Sequence, residues 1–213
     1  MFFKDIELIK ELHQKYSFKA SLLDAGGLEN PTIADYDISI AKAITVNLKL
    51  DGFSWAIKTP HPNQNDRYHE INRPWKFIDQ NYVILNPEKG DPYIEEMPEL
   101  YSNSFSTVIM VSVFEHVENP YTASDAIFKI LKPGGYFINS TPFIFPYHPS
   151  PEDNFRYSPI ALKRIHESSG FNWLEGDFHV NYSSSQGVGD TNPKNYGAPQ
   201  GIMASYALVQ KPI

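Results

Sequence analysis

The sequence predicts an α/β fold in which a mostly parallel sheet carries helices on both faces. Short apolar runs with strand character alternate with segments of helical periodicity, which is the pattern of parallel strands joined by helical crossovers. Residues 105–111 are almost continuously apolar, as expected of a strand that is covered on both faces. The last two apolar runs have no helical pattern between them, so we expect them to pair antiparallel at one edge of the sheet.

The strands are predicted where β-branched and aromatic residues cluster between turn signals. Seven segments fit this description: residues 21–24, 43–47, 82–85, 105–111, 136–139, 171–178 and 202–209.

The helices are predicted from apolar residues that recur at three- and four-residue spacing. This spacing predicts helices over 4–16, after Asn30-Pro31, and from Ala123 to Leu131, and a further helix is expected after residue 158. The signals expected to bound the last two helices are Thr122 with Asp125, Pro133-Gly134-Gly135, Ser158-Pro159 and Gly170.

The chain of 213 residues is long enough for one α/β domain with a large core, so we predict a single domain over 1–213. Residues 52–81 lack periodicity and hold two Trp, two His and three Pro. We interpret them as an insertion over the sheet ends, with a surface excursion without function as the alternative. Residues 181–201, rich in Ser, Gly, Asn and Pro, are expected to form a long loop, a lid or a disordered segment.

The charge and the missing cysteines exclude several classes of protein. The net charge of −7 argues against binding of a phosphate backbone, so no nucleic-acid partner is expected. Without cysteine there is neither a disulfide framework nor a thiolate metal site. The N-terminus resembles no signal peptide and no run of 18 apolar residues occurs. We therefore expect a soluble, cytoplasmic protein without a membrane partner.

Four motifs in the second half of the chain carry a family resemblance. They are Val113-Phe-Glu-His-Val-Glu-Asn-Pro120, Leu131-Lys-Pro-Gly-Gly135, Ser140-Thr-Pro-Phe143 and Ser169-Gly-Phe171. In this order and at these spacings they resemble a class I S-adenosylmethionine-dependent methyltransferase of the small-molecule type, known as type 11. The resemblance implies a Rossmann-like, seven-stranded sheet with an antiparallel C-terminal edge strand, and S-adenosylmethionine as the cofactor.

The first strand runs into two glycines, which would let a ligand approach the backbone N–H groups. The resemblance implies that Asp24 lies near the amino-acid portion of the cofactor and that Gly26 and Gly27 permit the approach. The motif is degenerate, since Leu28 and Asn30 stand where the family usually has further glycines.

Two further cofactor contacts are implied by the same resemblance. Asn47, 23 residues after Asp24, is expected to hold the ribose hydroxyls, with Asp51 as the alternative if the strand runs further. Asp91 is expected to accept a hydrogen bond from the adenine amino group, although Gly-Asp-Pro is also a common turn sequence.

Glu115 and His116 follow an apolar strand directly, so both polar side chains are expected at its carboxyl end. In the family this dipeptide borders the transferring methyl group, which implies a cofactor contact for Glu115. His116 or His148 could serve as a general base for a hydroxyl nucleophile, because histidine titrates near neutrality. The alternative is that Glu115 caps the next helix and His116 packs in the fold.

The segment after the fifth strand is where related enzymes bind their acceptor. The resemblance makes Tyr147, Asp153 and Arg156 candidate substrate-binding residues. Arg156 either pairs with Asp153 to fix the loop or binds an anionic substrate group in a bidentate manner. No metal is expected, because His148 and Asp153 lack a third candidate ligand.

The predicted function is methyl transfer from S-adenosylmethionine to a small-molecule or sugar-like acceptor. The alternative, motivated by the degenerate glycine motif and by Asn47, is a catalytically inactive protein of the same fold that binds or scaffolds a partner. A dinucleotide-dependent oxidoreductase is disfavoured by the absence of Gly-x-Gly-x-x-Gly after the first strand. A hydrolase is disfavoured by the absence of a Gly-x-Ser-x-Gly elbow. The oligomeric state is left open.

Overall fold

A computed structural model describes most of the second half of the chain and selected elements of the first half. The described residues are 2–19, 21–25, 54–57, 82–85, 94–147, 152–180 and 203–213. The described helices are α1 (Phe2–Tyr16), α2 (Met97–Tyr101), α3 (Pro120–Ile130) and α4 (Pro159–Ser168). The described strands are β1 (Leu22–Ala25), β2 (Ser54–Ile57), β3 (Tyr82–Leu85), β4 (Phe105–Val111), β5 (Leu131–Ile144), β6 (Asn172–Glu175), β7 (Phe178–Val180) and β8 (Met203–Gln210).

These strands form one sheet in the order β3-β2-β1-β4-β5-β8-β6, and β7 pairs with β8 beside that path. The first five strands are parallel, whereas β8 runs antiparallel to β5, β6 and β7. The predicted mostly parallel sheet with antiparallel pairing at its C-terminal edge is therefore confirmed. The antiparallel strand β8 is not itself outermost, since β6 lies beyond it.

The described part of the sheet contains eight strands, because the segment 171–178 predicted as one strand divides into β6 and the start of β7. The break lies at Gly176, where an added Cβ would come within 2.5 Å of both the Trp173 ring and the Tyr206 carbonyl oxygen. Asp177 then stabilises the turn by accepting a hydrogen bond from the Phe178 N–H at 2.7 Å. Only glycine fits at position 176, where the chain leaves β6 and passes close to β8.

The second strand lies at a different place from the one predicted. Residues 54–57 form β2 between β1 and β3, although they fall within the segment 52–81 that we expected to be an insertion. That expectation is wrong for these four residues. The predicted strand over 43–47 lies outside the described residues, as do the remainder of 52–81 and the segment 181–201.

Local capping chemistry bounds the helices. In α4 the Ser158 hydroxyl accepts from the N–H of Ala161 with Pro159 at the first helical position, and Gly170 follows the helix at a φ of +97°, as predicted. In α3 the expected capping pair is wrong, since Asn119 caps the helix by accepting from the N–H groups of residues 121 and 122. The chain enters α3 through Asn119 and Pro120, three residues after His116.

No helix in the described part of the chain is long and apolar enough to cross a membrane.

Helices cover both faces of the sheet, as predicted. On one face, α1 packs Ile9 and Leu12 against apolar side chains of β1, β4, β5 and β8. On the other face, α2, α3 and α4 pack against the alternate residues of the same strands. The second core includes a buried polar network in which His166 Nδ1 lies 3.0 Å from the Ser124 hydroxyl and His166 Nε2 lies 3.3 Å from Asn139 Nδ2.

The carboxyl ends of β1, β4 and β5 meet at one edge of the sheet because these strands are parallel. The sheet order reverses between β1 and β4, which makes this edge a topological switch point. Ser112, directly after β4, has a φ of +54°, and its N–H donates to the Ser140 carbonyl oxygen at 2.8 Å. This left-handed residue turns the chain off the sheet and begins the segment that carries Glu115.

Candidate functional site at the carboxyl edge of the sheet

Glu115 is fully buried at the carboxyl edge, between the turn after β4 and the end of β5. Its side chain has 0% relative exposure. The Thr141 hydroxyl donates to Glu115 Oε2 at 2.9 Å, which supplies one of the hydrogen bonds that a buried carboxylate requires. The carboxylate thus points into the protein and joins the turn after β4 to the end of β5, and its expected contact with the cofactor stays a prediction.

The backbone of the same residue anchors the segment that precedes α4. The Glu115 carbonyl oxygen accepts from the N–H groups of Asn154 and Phe155 at 2.9 and 3.1 Å. In return, the Asn154 side-chain amide donates to the carbonyl oxygens of His116 and Val117 at 3.2 and 3.4 Å. These four hydrogen bonds fix residues 154–155 against the turn after β4, although the two segments are far apart in sequence.

His116 has both ring nitrogens directed at protein atoms. Its Nδ1 contacts the Glu152 carbonyl oxygen, and its Nε2 lies 3.5 Å from Glu115 Oε1. A carbonyl oxygen only accepts, so Nδ1 carries a proton. The His116 side chain is 13% exposed, because most of it faces Glu115 and the loop backbone.

Arg156 and Asp153 form a bidentate pair in the loop before α4. Arg156 Nη1 contacts Asp153 Oδ1, and Nη2 donates to Oδ2 at 2.5 Å. Nη1 also donates to the Phe155 carbonyl oxygen at 2.8 Å, and Nη2 to that of Pro146 at 3.4 Å. The hydrogen bond with Asp153 raises the pKa of Arg156. Of the two roles that the sequence left open for Arg156, the structure contains the pairing that fixes the loop.

Two tyrosines lie near this loop and differ in their environment. Tyr147, a predicted substrate-binding residue, is 74% exposed just after β5. Tyr157 is buried, and its hydroxyl donates to the Phe114 carbonyl oxygen at 3.4 Å while its own carbonyl accepts from the Ser205 hydroxyl at 2.5 Å. Burial raises the pKa of Tyr157, so its hydroxyl keeps its proton at neutral pH. Tyr157 thereby links the loop to both β8 and the turn after β4.

The described residues contain only part of the predicted site. Glu115 and His116 bond the backbone of the loop that holds the Asp153–Arg156 pair. Thr141, which sequence analysis did not single out, joins Glu115 to β5. Asp24 lies in β1, in register with Ala56 of β2 and Ile109 of β4, which places its backbone at the switch point. The predicted residues Gly26, Gly27, Asn47, Asp91 and His148 lie outside the described residues.

Thr141 and Tyr157 were missed because their partners are distant in sequence. Thr141 belongs to the Ser140-Thr-Pro-Phe143 motif, so its position at a strand end was a usable signal. Its bond to Glu115 spans 26 residues, and nothing local in the sequence indicates it. In the described part of the chain, no group of three His, Asp or Glu side chains is arranged to hold a metal ion.

Comparison with protein families matches one continuous stretch of the chain. Residues 75–139 match a family described as a methyltransferase domain. The match spans β3, β4, α3 and the first part of β5, and so includes Glu115 and His116. Comparison of the sequence with curated proteins gives no match.

Solved structures of similar fold align with nearly the full length of the chain. The 1,6-didemethyltoxoflavin-N1-methyltransferase of Burkholderia thailandensis, with 1,6-didemethyltoxoflavin and S-adenosylhomocysteine bound, has a TM-score of 0.60 at 14% identity, over 97% of this chain and 77% of that one. Phosphoethanolamine N-methyltransferase 2 of Haemonchus contortus, in complex with S-adenosyl-L-methionine, has a TM-score of 0.63 at 14% identity, over 99% of this chain and 53% of that one. The [4+2]-cyclase SpnF has a TM-score of 0.62 at 13% identity, over 98% of this chain and 81% of that one.

These comparisons confirm the resemblance to class I S-adenosylmethionine-dependent methyltransferases that the motifs indicated. The family match covers residues 75–139, which include the first two of the four motifs, and the structural similarity covers the fold. At identities of 13–14% the structural similarity establishes the fold alone. The cyclase is an example of this fold in a protein named for a different reaction.

Proposed function

We propose that this protein transfers a methyl group from S-adenosylmethionine to a small-molecule acceptor, which includes sugar-like acceptors. The observation that carries the proposal is the switch point between β1 and β4, with the matched methyltransferase segment at the same sheet edge. Ligands of open parallel sheets bind at such a point, outside the carboxyl ends of the strands.

The residues at this edge fit the cofactor. β1 ends at the small residue Ala25, and the next two residues in the sequence are Gly26 and Gly27, which have no side chain to keep a ligand from the backbone. Asp24 lies in register with Ile109 of β4, on the strand that borders the switch point, and we assign the cofactor's charged amino group to it. We assign the ribose to Asn47 and the adenine amino group to Asp91. The cofactor supplies a methyl group already activated on a sulfonium, so the protein mainly has to position the acceptor.

We propose that Glu115 and the Arg156–Asp153 pair position the acceptor side of the site rather than touch the reacting atoms. Glu115 joins the turn after β4, the end of β5 and the loop before α4, and the arginine pair shapes that loop. His116, with both ring nitrogens directed at protein atoms, fits the same positioning role. Tyr147 is exposed just after β5, where it is available to a bound acceptor. His148, which sequence analysis named with His116 as a candidate general base, lies outside the described residues.

The test is calorimetric titration of the purified protein with S-adenosylhomocysteine. We expect a micromolar dissociation constant, which corresponds to a binding free energy of about −8 kcal/mol. Asp24→Ala should weaken binding by at least about tenfold, the effect of losing roughly 1.4 kcal/mol. Asp125→Ala is the matched control, because Asp125 is an exposed carboxylate on α3 away from the sheet edge.

The alternative is a protein of the same fold that has lost the chemistry and binds a partner. The degenerate glycine motif favours it, since Leu28 and Asn30 replace residues that usually lie against the cofactor. Absence of heat at millimolar S-adenosylhomocysteine would support this alternative and reject methyl transfer. Equal affinity of wild type and Asp24→Ala would retain the cofactor but reject the assignment of Asp24.

A further inference from the structure

A buried polar cluster lies on the opposite face of the sheet from Glu115. Its members are Asp5 of α1, Ser140 of β5 and His179 of β7. The Ser140 hydroxyl lies 2.7 Å from Asp5 Oδ1 and 3.0 Å from His179 Nε2, and His179 Nε2 lies 3.4 Å from Asp5 Oδ1. Asp5 and Ser140 are each 2% exposed. Three elements that are distant in sequence thus meet through one hydroxyl.

The strand register places this cluster at the ligand-binding edge of the sheet. β8 is antiparallel to β5, and its first residues pair with the carboxyl end of β5, with Tyr206 opposite Ser140. β7 pairs with the same part of β8, with His179 opposite Ala204. Ser112, the left-handed residue after β4, donates its N–H to the Ser140 carbonyl oxygen. The cluster therefore lies beside the carboxyl ends of both β4 and β5.

The hydrogen bonds determine which nitrogen of His179 carries the proton. The Ser140 hydroxyl has a single proton and donates it to Asp5, so towards His179 the same oxygen accepts. The donor on His179 is then the Nε2–H. Burial lowers the pKa of His179 to about 4, so the ring is neutral at pH 7 and its Nδ1 carries a lone pair. No hydrogen-bond partner of Nδ1 lies within the described part of the chain, and the side chain is 14% exposed.

We infer that His179 is the general base of the proposed methyl transfer, with Ser140 and Asp5 as positioning residues that fix its tautomer. This inference rests on the proposed function and defines the acceptor class as a small molecule whose nucleophilic atom bears a proton, such as a hydroxyl, a phenol or a primary or secondary amine. A buried carboxylate at 3.4 Å from Nε2 would stabilise the imidazolium that forms when Nδ1 takes up the proton. The carboxylate, hydroxyl and imidazole act in series, since Asp5 orients Ser140 and Ser140 orients His179.

The proposed step balances without a further reactant. The lone pair of the acceptor's nucleophilic atom forms the bond to the methyl carbon, while the carbon–sulfur bond breaks and its electron pair stays on sulfur. The proton of the nucleophilic atom passes to His179 Nδ1. The imidazolium then releases this proton to water, which restores the neutral ring for the next turnover.

The first arm of the test needs no acceptor. Long-range nitrogen NMR of histidine-labelled protein at pH 7 should show His179 as the neutral Nε2–H tautomer. Ser140→Ala should give a mixture of tautomers, and Ser140→Thr should restore the single tautomer, because it returns the hydroxyl. A protonated His179, or the Nδ1–H tautomer, in wild-type protein would overturn the inference whatever the protein's activity.

The second arm measures methyl transfer to a panel of alcohols, phenols and primary and secondary amines, with tertiary amines as acceptors that bear no proton. His179→Gln keeps an N–H donor close to the position of Nε2 and removes the base at Nδ1. We expect this variant to bind S-adenosylhomocysteine as wild type does and to lose about 100-fold or more in kcat. His13→Gln is the matched control, because His13 lies in the last turn of α1 outside the cluster, and it should keep wild-type kcat.

The outcomes separate this inference from the proposed function. Failure of wild-type protein to bind S-adenosylhomocysteine rejects the function itself. Normal cofactor binding with kcat of His179→Gln within about threefold of wild type rejects His179 as the base. Binding of the cofactor without methylation of any proton-bearing acceptor, or with methylation of tertiary amines alone, rejects the acceptor class.

Discussion

Arg156 holds the carboxylate of Asp153 through both of its terminal nitrogens, so that the two planar groups face each other in the loop before α4. The Asp153 carboxylate is 0% exposed and Arg156 is 26% exposed. A buried carboxylate depends on its partner, because removal of that partner leaves an unpaired charge inside the protein. The arginine also bonds two backbone carbonyl oxygens, so one side chain joins the end of β5 to the loop.

Arg156→Ala should destabilise the protein by roughly 3–5 kcal/mol, because Asp153 would stay buried without its cation. Arg156→Lys should recover part of this loss, since lysine restores the charge but not the two parallel hydrogen bonds. Urea unfolding measures both free energies. Arg164→Lys, at an exposed position of α4, is the matched control and should change the free energy of unfolding by less than about 0.5 kcal/mol. Equal stability of Arg156→Lys and wild type would contradict a role for the bidentate geometry.

Glu115 and Thr141 should show energetic coupling across the sheet edge. Glu115→Ala should cost roughly 1–3 kcal/mol, because it leaves the buried Thr141 hydroxyl without its acceptor. Thr141→Val removes the hydroxyl at nearly constant volume. In a double-mutant cycle of these two substitutions we expect an interaction energy of roughly 0.5–3 kcal/mol. Strictly additive free energies of unfolding would show that the 2.9 Å contact contributes nothing to stability.

The stability of the fold should fall as the solution becomes acidic. Burial lowers the pKa of His166 to about 3 and that of His179 to about 4, against an ordinary value of 6.5. Below about pH 6.5 the unfolded chain takes up protons that these two folded side chains do not, so unfolding is favoured as the pH falls towards 4. Above about pH 6.5 both states are neutral at these positions and the contribution is constant.

Urea midpoints measured from pH 7.5 to pH 5 test this pH dependence. The free energy of unfolding should not change with pH at the upper end of this range. At lower pH it should fall at a rate that corresponds to the uptake of nearly two protons on unfolding. His179→Gln should reduce that slope by about one proton. An undiminished slope in the variant would mean that His179 titrates alike in the folded and unfolded states.

Gly176→Ala should disturb both the stability and the His179 cluster. The added Cβ would lie 2.5 Å from the Trp173 ring and from the Tyr206 carbonyl oxygen, so β6 and β8 would have to separate. Overpacking of this kind costs roughly 1–3 kcal/mol. Because β7 begins at Phe178, two residues after Gly176, the ring signals of His179 in NMR spectra should move as well.

Gly134→Ala is the control for this prediction. Gly134 has a φ of +76°, so alanine is strained there, yet the nearest atom to its Cβ is a side-chain carbon of Ile213 at 3.7 Å. It should lose stability through strain of about 1–3 kcal/mol while leaving the His179 signals in place. Similar changes in the His179 ring signals of both variants would argue that the cluster responds to a general loss of stability and not to the clash at position 176.

The features that sequence reasoning predicted correctly rest on local chemistry. Ser158-Pro159 bounds α4 because a cap needs a side chain and an N–H three residues apart. The pairing of Arg156 with Asp153 was one of the two roles that the sequence left open, and the two residues lie only three positions apart in the same loop. The parallel sheet and its antiparallel edge followed from the order of strand and helix patterns, which is also a local property.

The features that sequence reasoning missed rest on contacts between distant residues. Ser140 and Asp5 are separated by 135 positions, and neither has neighbours that indicate the other. β2 was assigned to an insertion because the segment around Trp55 lacks the alternation of a strand exposed on one face. As a strand between β1 and β3, it does not need that alternation. Asn119 was missed as a cap because Thr122 and Asp125 matched a capping pattern three residues later.

Ser140 and Thr141 are neighbours in β5 whose side chains leave the sheet on opposite faces, one towards Asp5 and the other towards Glu115. A single inserted or deleted residue upstream of this pair in β5 would exchange the two faces and remove both contacts in one event. Variation in chain length should therefore be tolerated in the loop after β5 and rejected within the strand. The contacts of Ser140 and Thr141 therefore depend on one and the same register of β5, and a shift that changes one contact changes the other.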